Sequence, residues 1–226
     1  MARSPIRTLF ASAIACLAAL SCGPASARGG DGWDIDYYDP GPYAGTIRTA
    51  EQHHLGVGLR KLKDPKWDRQ WVWAEFDFIL RTSPNHPIAL DWMIKLCETW
   101  KSPRCALDDY LEKAVAINPR VATTYVLRGI YQLRFDKPKL AVESFKTALE
   151  LDPSSMNAHY NLGLAYFDLK EYARSNEHAQ AAYALGAPLP GLREKLRAVG
   201  RWDPGARRTI DTPPHSGRIG ATKPDQ

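Results

Sequence analysis

A single interval recurs along this sequence and restricts its fold more than any other feature. Glycine, alanine and proline return every 34 residues: Gly129 and Gly163; Ala114, Ala148 and Ala182; Pro119 and Pro153. A fixed period of this length is typical of solenoids in which each repeat is a helical hairpin that buries its apolar face against the next. The sequence therefore predicts stacked helix pairs in this part of the chain.

The recurring glycines fit this interpretation because of where they fall. Gly129 and Gly163 lie in the middle of predicted helices, where glycine costs about 1 kcal/mol relative to alanine. That cost is tolerated where another backbone approaches closely, and the second helix of the hairpin would do so through Ala141, Ala148 and Ala182. A proline after each second helix ends it and starts the next repeat.

The residues of the repeat resemble the tetratricopeptide repeat (TPR). That family favours an aromatic residue, Leu-Gly and Tyr on a first helix, and a small residue, an aromatic residue and Ala before a closing Pro on a second. Residues 158–166 (AHYNLGLAY) match the first pattern, and residues 141–153 (AVESFKTALELDP) match the second. The positions that carry the resemblance are Gly129, Ala141, Phe145, Ala148, Pro153, Gly163, Tyr166 and Ala182. The resemblance implies an all-α fold, a TPR-like helical-hairpin solenoid.

The helical domain is expected over residues 46–200, with its clearest repeats at 88–119, 120–153 and 154–188. Lys95 takes the place of the mid-helix glycine in the first of these. Together with a helical pair before residue 84, this makes about three to four repeats.

Two further segments follow the repeats. Leu192, Leu196 and Val199 share one face of a short C-terminal helix that would cap the apolar end of the stack. Residues 201–226 lack apolar periodicity and are rich in Pro, Gly, Thr and Arg, which predicts a disordered tail.

The first residues predict export. An apolar run at 9–20 follows two arginines, is too short for a transmembrane helix, and precedes the small-residue motif Ala25-Ser26-Ala27. Residues 1–27 are therefore predicted to be a signal peptide. A second interpretation stays open, because Ala19-Leu20-Ser21-Cys22 resembles a lipoprotein box with Cys22 as the acylated residue, although Ala19 replaces the usual Leu.

Residues 28–45 form an acidic and aromatic segment with no helical period. Trp33, Tyr37, Tyr38 and Tyr43 lie among four aspartates. Either this segment packs along the first helices or it awaits a partner, and the sequence leaves both open.

Cys97 and Cys105 are predicted to form a disulfide. An exported protein matures where disulfides persist, and the two residues fall late on a first helix and at the start of the second. The bond would connect the two helices of one hairpin and, since the loop is short, would stabilise it by about 2–3 kcal/mol. Two thiols without an intervening histidine do not predict a metal site.

No pattern in the sequence predicts catalysis or a cofactor. It has no Gly-rich phosphate loop, His-Glu-x-x-His helix or nucleophile elbow. His53 and His54 are adjacent, so on a helix they point about 100° apart and do not chelate one ion. The net charge of +5 is spread among alternating acids and bases, which argues against nucleic acid as a partner. We therefore expect no enzyme, no cofactor and no metal.

The resemblance also implies a partner-binding groove, because first helices line the concave face of TPR stacks. By alignment, the groove residues are Trp92, Leu96, Val126, Ile130, Arg134, Tyr160, Asn161, Leu164 and Phe167. Such aromatic and aliphatic side chains suit an extended or helical peptide with apolar anchors.

These patterns together predict a non-catalytic protein–protein interaction scaffold. Resemblance to exported TPR proteins of Gram-negative bacteria implies a place in the cell envelope, in the periplasm or at the outer membrane as a lipoprotein. A lipid anchor would be its only contact with the membrane. The alternatives are a structural component that self-associates through the groove or the final helix, a regulator of an envelope enzyme and, last in order, an unrecognised enzyme.

Overall fold

The apolar periodicity of the sequence is realised as a series of helices joined by short turns. The computed structural model describes residues 33–100, 105 and 107–205, and within these ranges it contains no β-strand. The helices are α1 (Ala44–Ala50), α2 (Gly56–Lys63), α3 (Arg69–Thr82), α4 (Pro87–Trp100), α5 (Asp108–Ile117), α6 (Ala122–Arg134), α7 (Pro138–Leu151), α8 (Met156–Asp168), α9 (Tyr172–Ala184) and α10 (Gly191–Ala198). A π-helical turn, Glu51–Leu55, joins α1 to α2 without a break.

These helices form a stack of hairpins. The first hairpin pairs α1–α2 with α3, the third pairs α6 with α7 and the fourth pairs α8 with α9. In the second hairpin, α4 and α5 are joined through a shared apolar cluster that includes Met93, Cys97 and Leu111. The first helices α4, α6 and α8 also contact one another in sequence, and α10 packs on the last hairpin. The predicted all-α solenoid with a C-terminal capping helix is confirmed.

The third and fourth hairpins turn in the same way. Asp136 and Lys170 occupy equivalent positions after the first helix of each hairpin, and both have positive φ, 57° and 63°. A left-handed residue here lets the backbone N–H of the next residue reach back into the last helical turn. Lys137 N donates to Gln132 O at 2.8 Å, and Glu171 N to Tyr166 O at 2.9 Å. The 34-residue interval thus repeats in backbone conformation as well as in residue type.

The mid-helix glycines are required by close packing. A Cβ on Gly129 would lie 2.5 Å from the Phe145 ring, and one on Gly163 would lie 2.6 Å from Leu192 and 3.3 Å from Ser175 O. The neighbour of Gly129 is therefore an aromatic ring rather than the alanines expected from the sequence. Ala141, Ala148 and Ala182 are fully buried in the same hairpins.

The second hairpin is shifted by one residue from the register expected from the sequence. α4, α6 and α8 begin at Pro87, Ala122 and Met156, so the equivalent of the mid-helix glycine is Ile94, not Lys95. Ile94 is fully buried, whereas Lys95 is half-buried and pairs with Asp91. The expectation for Lys95 was wrong because one extra residue separates the second hairpin from the third.

The core joins neighbouring hairpins. One apolar cluster spans the first and second hairpins and reaches Leu127 and Tyr131 of α6, and another spans the third and fourth. Phe76 and Phe145, at equivalent places in α3 and α7, are both 0% exposed. Removing such a side chain typically costs about 3–5 kcal/mol, so these clusters stabilise the stack.

The described part of the N-terminal segment, from Trp33 onward, packs on the fold, as one of the two alternatives left open by the sequence expects. Trp33 N donates to Arg81 O at 3.1 Å and Ile35 N donates to Thr82 O at 3.0 Å. The side chain of Ile35 is 6% exposed. The segment therefore lies against the C-terminal end of α3.

Asp36 extends this contact to two loops that connect hairpins. Its Oδ1 accepts from Asn85 Nδ2 at 2.7 Å, and its Oδ2 accepts from Asn118 Nδ2 at 2.8 Å. Asn85 follows α3 and Asn118 follows α5. One carboxylate thereby connects the ends of the first and second hairpins.

At the other end, the packed chain continues past residue 200. Trp202 packs against the cap, and Asp203 O accepts from Asn176 Nδ2 at 3.0 Å. The predicted signal peptide, Cys22 and residues 206–226 of the predicted tail lie outside the described residues.

Candidate partner-binding surface

The predicted groove residues come from α4, α6 and α8, whose mutual contacts give the stack one continuous side. Leu96 and Val126 do not belong on its surface, because both are only 6% exposed. Leu96 has the same place in α4 as Tyr131 in α6, a core residue, owing to the register shift of the second hairpin. Val126 is buried in the cluster of the third and fourth hairpins. Their assignment to the groove was wrong.

Three further predicted residues are covered by the capping helix. Tyr160, Leu164 and Phe167 are half-buried and pack around Leu192 and Leu196. The Tyr160 hydroxyl accepts from Leu192 N at 3.2 Å, and burial raises the pKa of this phenol. The cap therefore occupies this end of the expected groove.

The predicted residues that keep exposed surface here are Trp92, Ile130, Arg134 and Asn161. Trp92 is half-buried, with Lys95 Nζ 4.7 Å from the centre of its ring. Ile130 is half-buried between the two large clusters. Asn161 Nδ2 donates to Asn157 O at 2.8 Å, so its amide is partly engaged within α8.

Sequence alignment missed residues beside these. Ile88 is 42% exposed and lies on the same face of α4 as Trp92 and Lys95, since the spacing is i, i+4, i+7. Glu98, one turn further on, pairs with Arg134 of α6. The 35-residue interval from Pro84 to Pro119 was the signal that could have revealed this register. We call the set Ile88, Trp92, Lys95, Glu98, Ile130 and Arg134 the groove surface.

The charges of the groove surface are balanced within it. Lys95 Nζ pairs with Asp91 at 2.6 Å, and Arg134 pairs with Glu98 across adjacent first helices. Neither sign dominates beside Trp92 and Ile130. The surface therefore suits a polypeptide with apolar anchors rather than a highly charged ligand.

The structure brings Cys97 and Cys105 together in disulfide geometry. Their Cα atoms are 5.3 Å apart, within the range that a disulfide bridges. Cys97 lies in α4 and Cys105 just before α5, as the spacing predicted. Formation of the bond in the cell remains a prediction.

A second concave feature lies beside the first hairpin. A cleft of about 600 Å³ is lined by Trp33, Thr49, His53, His54 and Phe78, among others. The His54 ring stacks on Phe78 with centroids 3.9 Å apart, and its Nδ1 lies 2.8 Å from a Glu75 oxygen. Sequence reasoning missed the cleft because it forms only when the N-terminal segment returns to α3.

His159 and His178 pack against each other inside the fourth hairpin. His159 and His178 approach each other at 3.0 Å between their Nδ1 atoms, on facing helices of the fourth hairpin. Burial, followed by the charges of His159, Arg174 and Lys146, lowers the pKa of His178 to about 4. Across the part of the chain that the structure describes, no cluster of three or more His, Cys, Asp or Glu side chains has metal-binding geometry. In the same part, no helix has the length and apolar character needed to span a membrane.

Comparisons with known proteins agree with the repeat. A family model described as TPR repeat matches residues 139–170. Protein O-mannosyl-transferase TMTC3 of Mus musculus is 31% identical over 94 residues, 42% of this chain and 10% of the relative. E3 ubiquitin-protein ligase CHIP of Arabidopsis thaliana is 32% identical over 81 residues, 36% of this chain and 29% of the relative. The chain thus spans between about a tenth and a third of the length of these curated relatives.

A solved structure has the same fold. PilF of Pseudomonas aeruginosa superposes with a TM-score of 0.53 at 19% identity, covering 68% of this chain and 71% of that one. The hairpin geometry, the repeat match and this similarity define a helical-repeat interaction protein. Residues 139–170 match the tetratricopeptide repeat, and the fold is that of a TPR-like helical solenoid.

Proposed function

We propose that this protein is an exported, non-catalytic scaffold that holds a polypeptide partner on the groove surface. TPR folds serve protein–protein interaction, and the observation that supports this site is the row of incompletely buried apolar side chains across two adjacent first helices. Ile88, Trp92 and Ile130 combine exposed apolar area with paired charges. Aromatic and aliphatic anchors of this kind provide most of the binding energy in peptide grooves.

Photo-crosslinking tests this site. A photoreactive residue in place of Ile130 should capture a polypeptide in envelope extracts, whereas the same residue in place of Leu140, exposed on the outer face of α7, should not. A third variant at Leu164 should give only a crosslink within the chain to α10, because the cap covers that side chain. Equal capture at Ile130 and Leu140 would contradict the assignment of the groove surface.

The location in the cell envelope is part of the same proposal. Two features support it: the export pattern of residues 1–27 and the bonding geometry of Cys97 and Cys105, since structural disulfides persist in oxidising compartments. We expect the protein in the periplasmic or outer-membrane fraction of a Gram-negative host. Recovery in the cytoplasm with an intact N-terminus would refute this.

Whether the exported protein is anchored by lipid can be decided at one residue. If Cys22 is acylated, Cys22→Ser should move the protein from the membrane fraction to the soluble periplasmic fraction, because the acyl chains supply the anchor. If cleavage follows Ala27, the same variant should fractionate as the wild type does. Mass spectrometry of the mature N-terminus distinguishes the two.

A further inference from the structure

The capping helix α10 takes the place of the first helix of a further repeat. Ala158 and Leu162, both buried in α8, recur 34 residues later as Leu192 and Leu196, both buried in α10. The two helices therefore have the same register, and each position of α10 can be compared with its equivalent in α8.

Two arginines occupy the flank of α10 on which a second helix would pack. In this register Arg193 corresponds to His159 and Arg197 to Gly163, and both of these α8 residues face α9, the second helix of their hairpin. Arg193 and Arg197 lie one turn apart, on the same side of α10. Within the described residues, no second helix follows α10.

Only a short piece of chain returns to cover part of this flank. Trp202 packs edge-on against Tyr183 of α9, with ring centroids 5.8 Å apart. Arg197 is left exposed. We call the set Tyr183, Arg193, Arg197 and Trp202 the arginine flank.

Arg193 is held in place without an acceptor for its buried donor. Its guanidinium carbon lies 4.3 Å from the centre of the Tyr183 ring and 5.7 Å from that of Trp202. Its Nε is buried and has no hydrogen-bond partner among the described residues. A buried donor without an acceptor is costly, whereas a cap needs only a polar outer face. Capping alone therefore does not account for the placement of Arg193.

The positive charge of α10 is not compensated by nearby carboxylates. Glu194 is the one acidic residue of this helix. Among the described residues, no carboxylate pairs with Arg193, Lys195 or Arg197. In the groove surface, by contrast, both cations pair with carboxylates of their own or a neighbouring helix.

We propose that the arginine flank binds an acidic segment of a partner protein. A guanidinium stacked on an aromatic ring keeps its N–H donors in one plane, and these donors match the two oxygens of a carboxylate. Arg193 and Arg197 would each receive a carboxylate from acidic residues one helical turn apart. The segment would lie along α10 where the second helix of a hairpin packs in the preceding repeats.

Charge argues against the rest of this chain as the occupant. Residues 206–226 contain four Arg or Lys and two Asp. This segment therefore has the same sign of charge as the flank that it would have to cover, and like charges repel.

Burial argues against a lipid surface as the occupant. Anionic lipid attracts basic residues, but a helix that lies in a membrane interface also needs an exposed apolar face. Leu192 and Leu196, the leucines of α10, are both 0% exposed because they pack on the last hairpin. An acidic polypeptide is thus the occupant that charge and burial favour.

Fluorescence anisotropy tests the proposal on the processed full chain with a labelled peptide. The probe carries glutamates at i and i+4 on an alanine background, and the same peptide with glutamine in place of glutamate is the neutral control. In about 20 mM salt the wild type should bind the acidic peptide, and binding should weaken in about 500 mM salt because the contacts are between charges.

Arginine variants locate the binding site. Arg193→Gln and Arg197→Gln should each weaken peptide binding by about fivefold or more. Arg48→Gln removes an exposed cation from α1 at the other end of the chain. It is the matched control for net charge and should change the affinity by less than about twofold.

NMR of the wild type provides a second measurement that does not depend on the stability of a variant. The Arg193 Nε–H signal, assigned by its absence in Arg193→Lys, should shift when the glutamate peptide is added. The glutamine peptide should leave this signal in place.

Three results would overturn the proposal. They are absence of peptide binding in low salt, equal weakening by Arg48→Gln, and binding through Arg193 and Arg197 to phosphatidylglycerol vesicles but not to the peptide. The inference is independent of the groove surface on α4 and α6, so Arg193→Gln should leave capture at Ile130 unchanged.

Discussion

The two ends of the helical stack are capped by different kinds of structure. At the C-terminal end, α10 covers the last hairpin with Leu192 and Leu196, both 0% exposed, and presents charged residues outward. At the N-terminal end, an extended segment binds the ends of α3 and the nearby loops, while Trp71 and Phe78 remain exposed. The comparison shows that the consensus of the repeat reports the packing inside a hairpin and is silent about its outer face. Departures on that face indicate either a cap or an interface.

The largest expected effect contrasts these two ends directly. Leu192→Ala should lower the free energy of unfolding by about 2–5 kcal/mol, because it removes a fully buried side chain that fills the space beside Gly163. Trp71→Ala, at the exposed opposite end, should change the stability of the monomer by less than about 0.5 kcal/mol. Urea unfolding measured at low protein concentration compares the two. Similar losses of unfolding free energy in the two variants would show that the two ends of the stack do not differ in this way.

Acid should destabilise the fourth hairpin specifically. Burial and nearby cations lower the pKa of His178 from 6.5 to about 4 in the folded protein. Between these values the unfolded chain binds more protons than the folded protein does. The contribution of neutral His178 to the free energy of unfolding is therefore at its maximum above about pH 7. The free energy of unfolding decreases by on the order of 3 kcal/mol as the pH falls from 6.5 towards 4.

The matched variants are His178→Gln and His53→Gln. The first should flatten the decrease between pH 6.5 and 4, whereas the second, at an exposed site on the first hairpin, should preserve it. His86 is a smaller source of pH dependence, because burial lowers its pKa while Glu51 opposes that change. Parallel unfolding curves for wild type and His178→Gln would refute the assignment.

Reduction of the Cys97–Cys105 disulfide should lower the free energy of unfolding by less than Leu192→Ala does and by more than the N-terminal variant described last. Cys97 and Cys105 are separated by 8 residues, and closing so short a loop stabilises by about 2–3 kcal/mol. Dithiothreitol should therefore lower the stability of the wild type and leave a Cys97→Ala, Cys105→Ala double variant unchanged. Two titratable thiols in the mature protein without reductant would show that the bond does not form.

The sequence predicted the third and fourth hairpins best, for a physical reason. Gly129 is dictated by a close contact within its hairpin, and Gly163 by close contacts with its hairpin and with the capping helix, so their spacing reports the fold directly. Ile94 carries no such signature, and a buried aliphatic residue can be shifted by one position without altering the apolar pattern. The register of α4, and with it the burial of Leu96, is therefore not indicated by the repeat residues within the helix, and only the 35-residue interval from Pro84 to Pro119 indicates it.

The surface was harder to predict than the core. Tyr160 and Phe167 have the helical phase of groove residues, but phase does not show that α10 folds over them. Likewise, nothing near Asp36 in the sequence points to Asn85 or Asn118, which lie 49 and 82 residues away. Such contacts depend on the assembled stack, so local periodicity does not encode them.

The smallest expected effect concerns this N-terminal connection. Asp36→Ala should cost about 1–2 kcal/mol, because it leaves the amide of Asn85, a residue that is 1% exposed, without one of its acceptors. Asp39→Ala, on the exposed side of the same segment, is the control and should be neutral. Amide hydrogen exchange at Ile35 provides a local measurement, since its N–H is bound to Thr82 O. Faster exchange at Ile35 with unchanged exchange in α8 would show that Asp36 secures only the N-terminal end, whereas a uniform increase would mean that this carboxylate supports the whole stack.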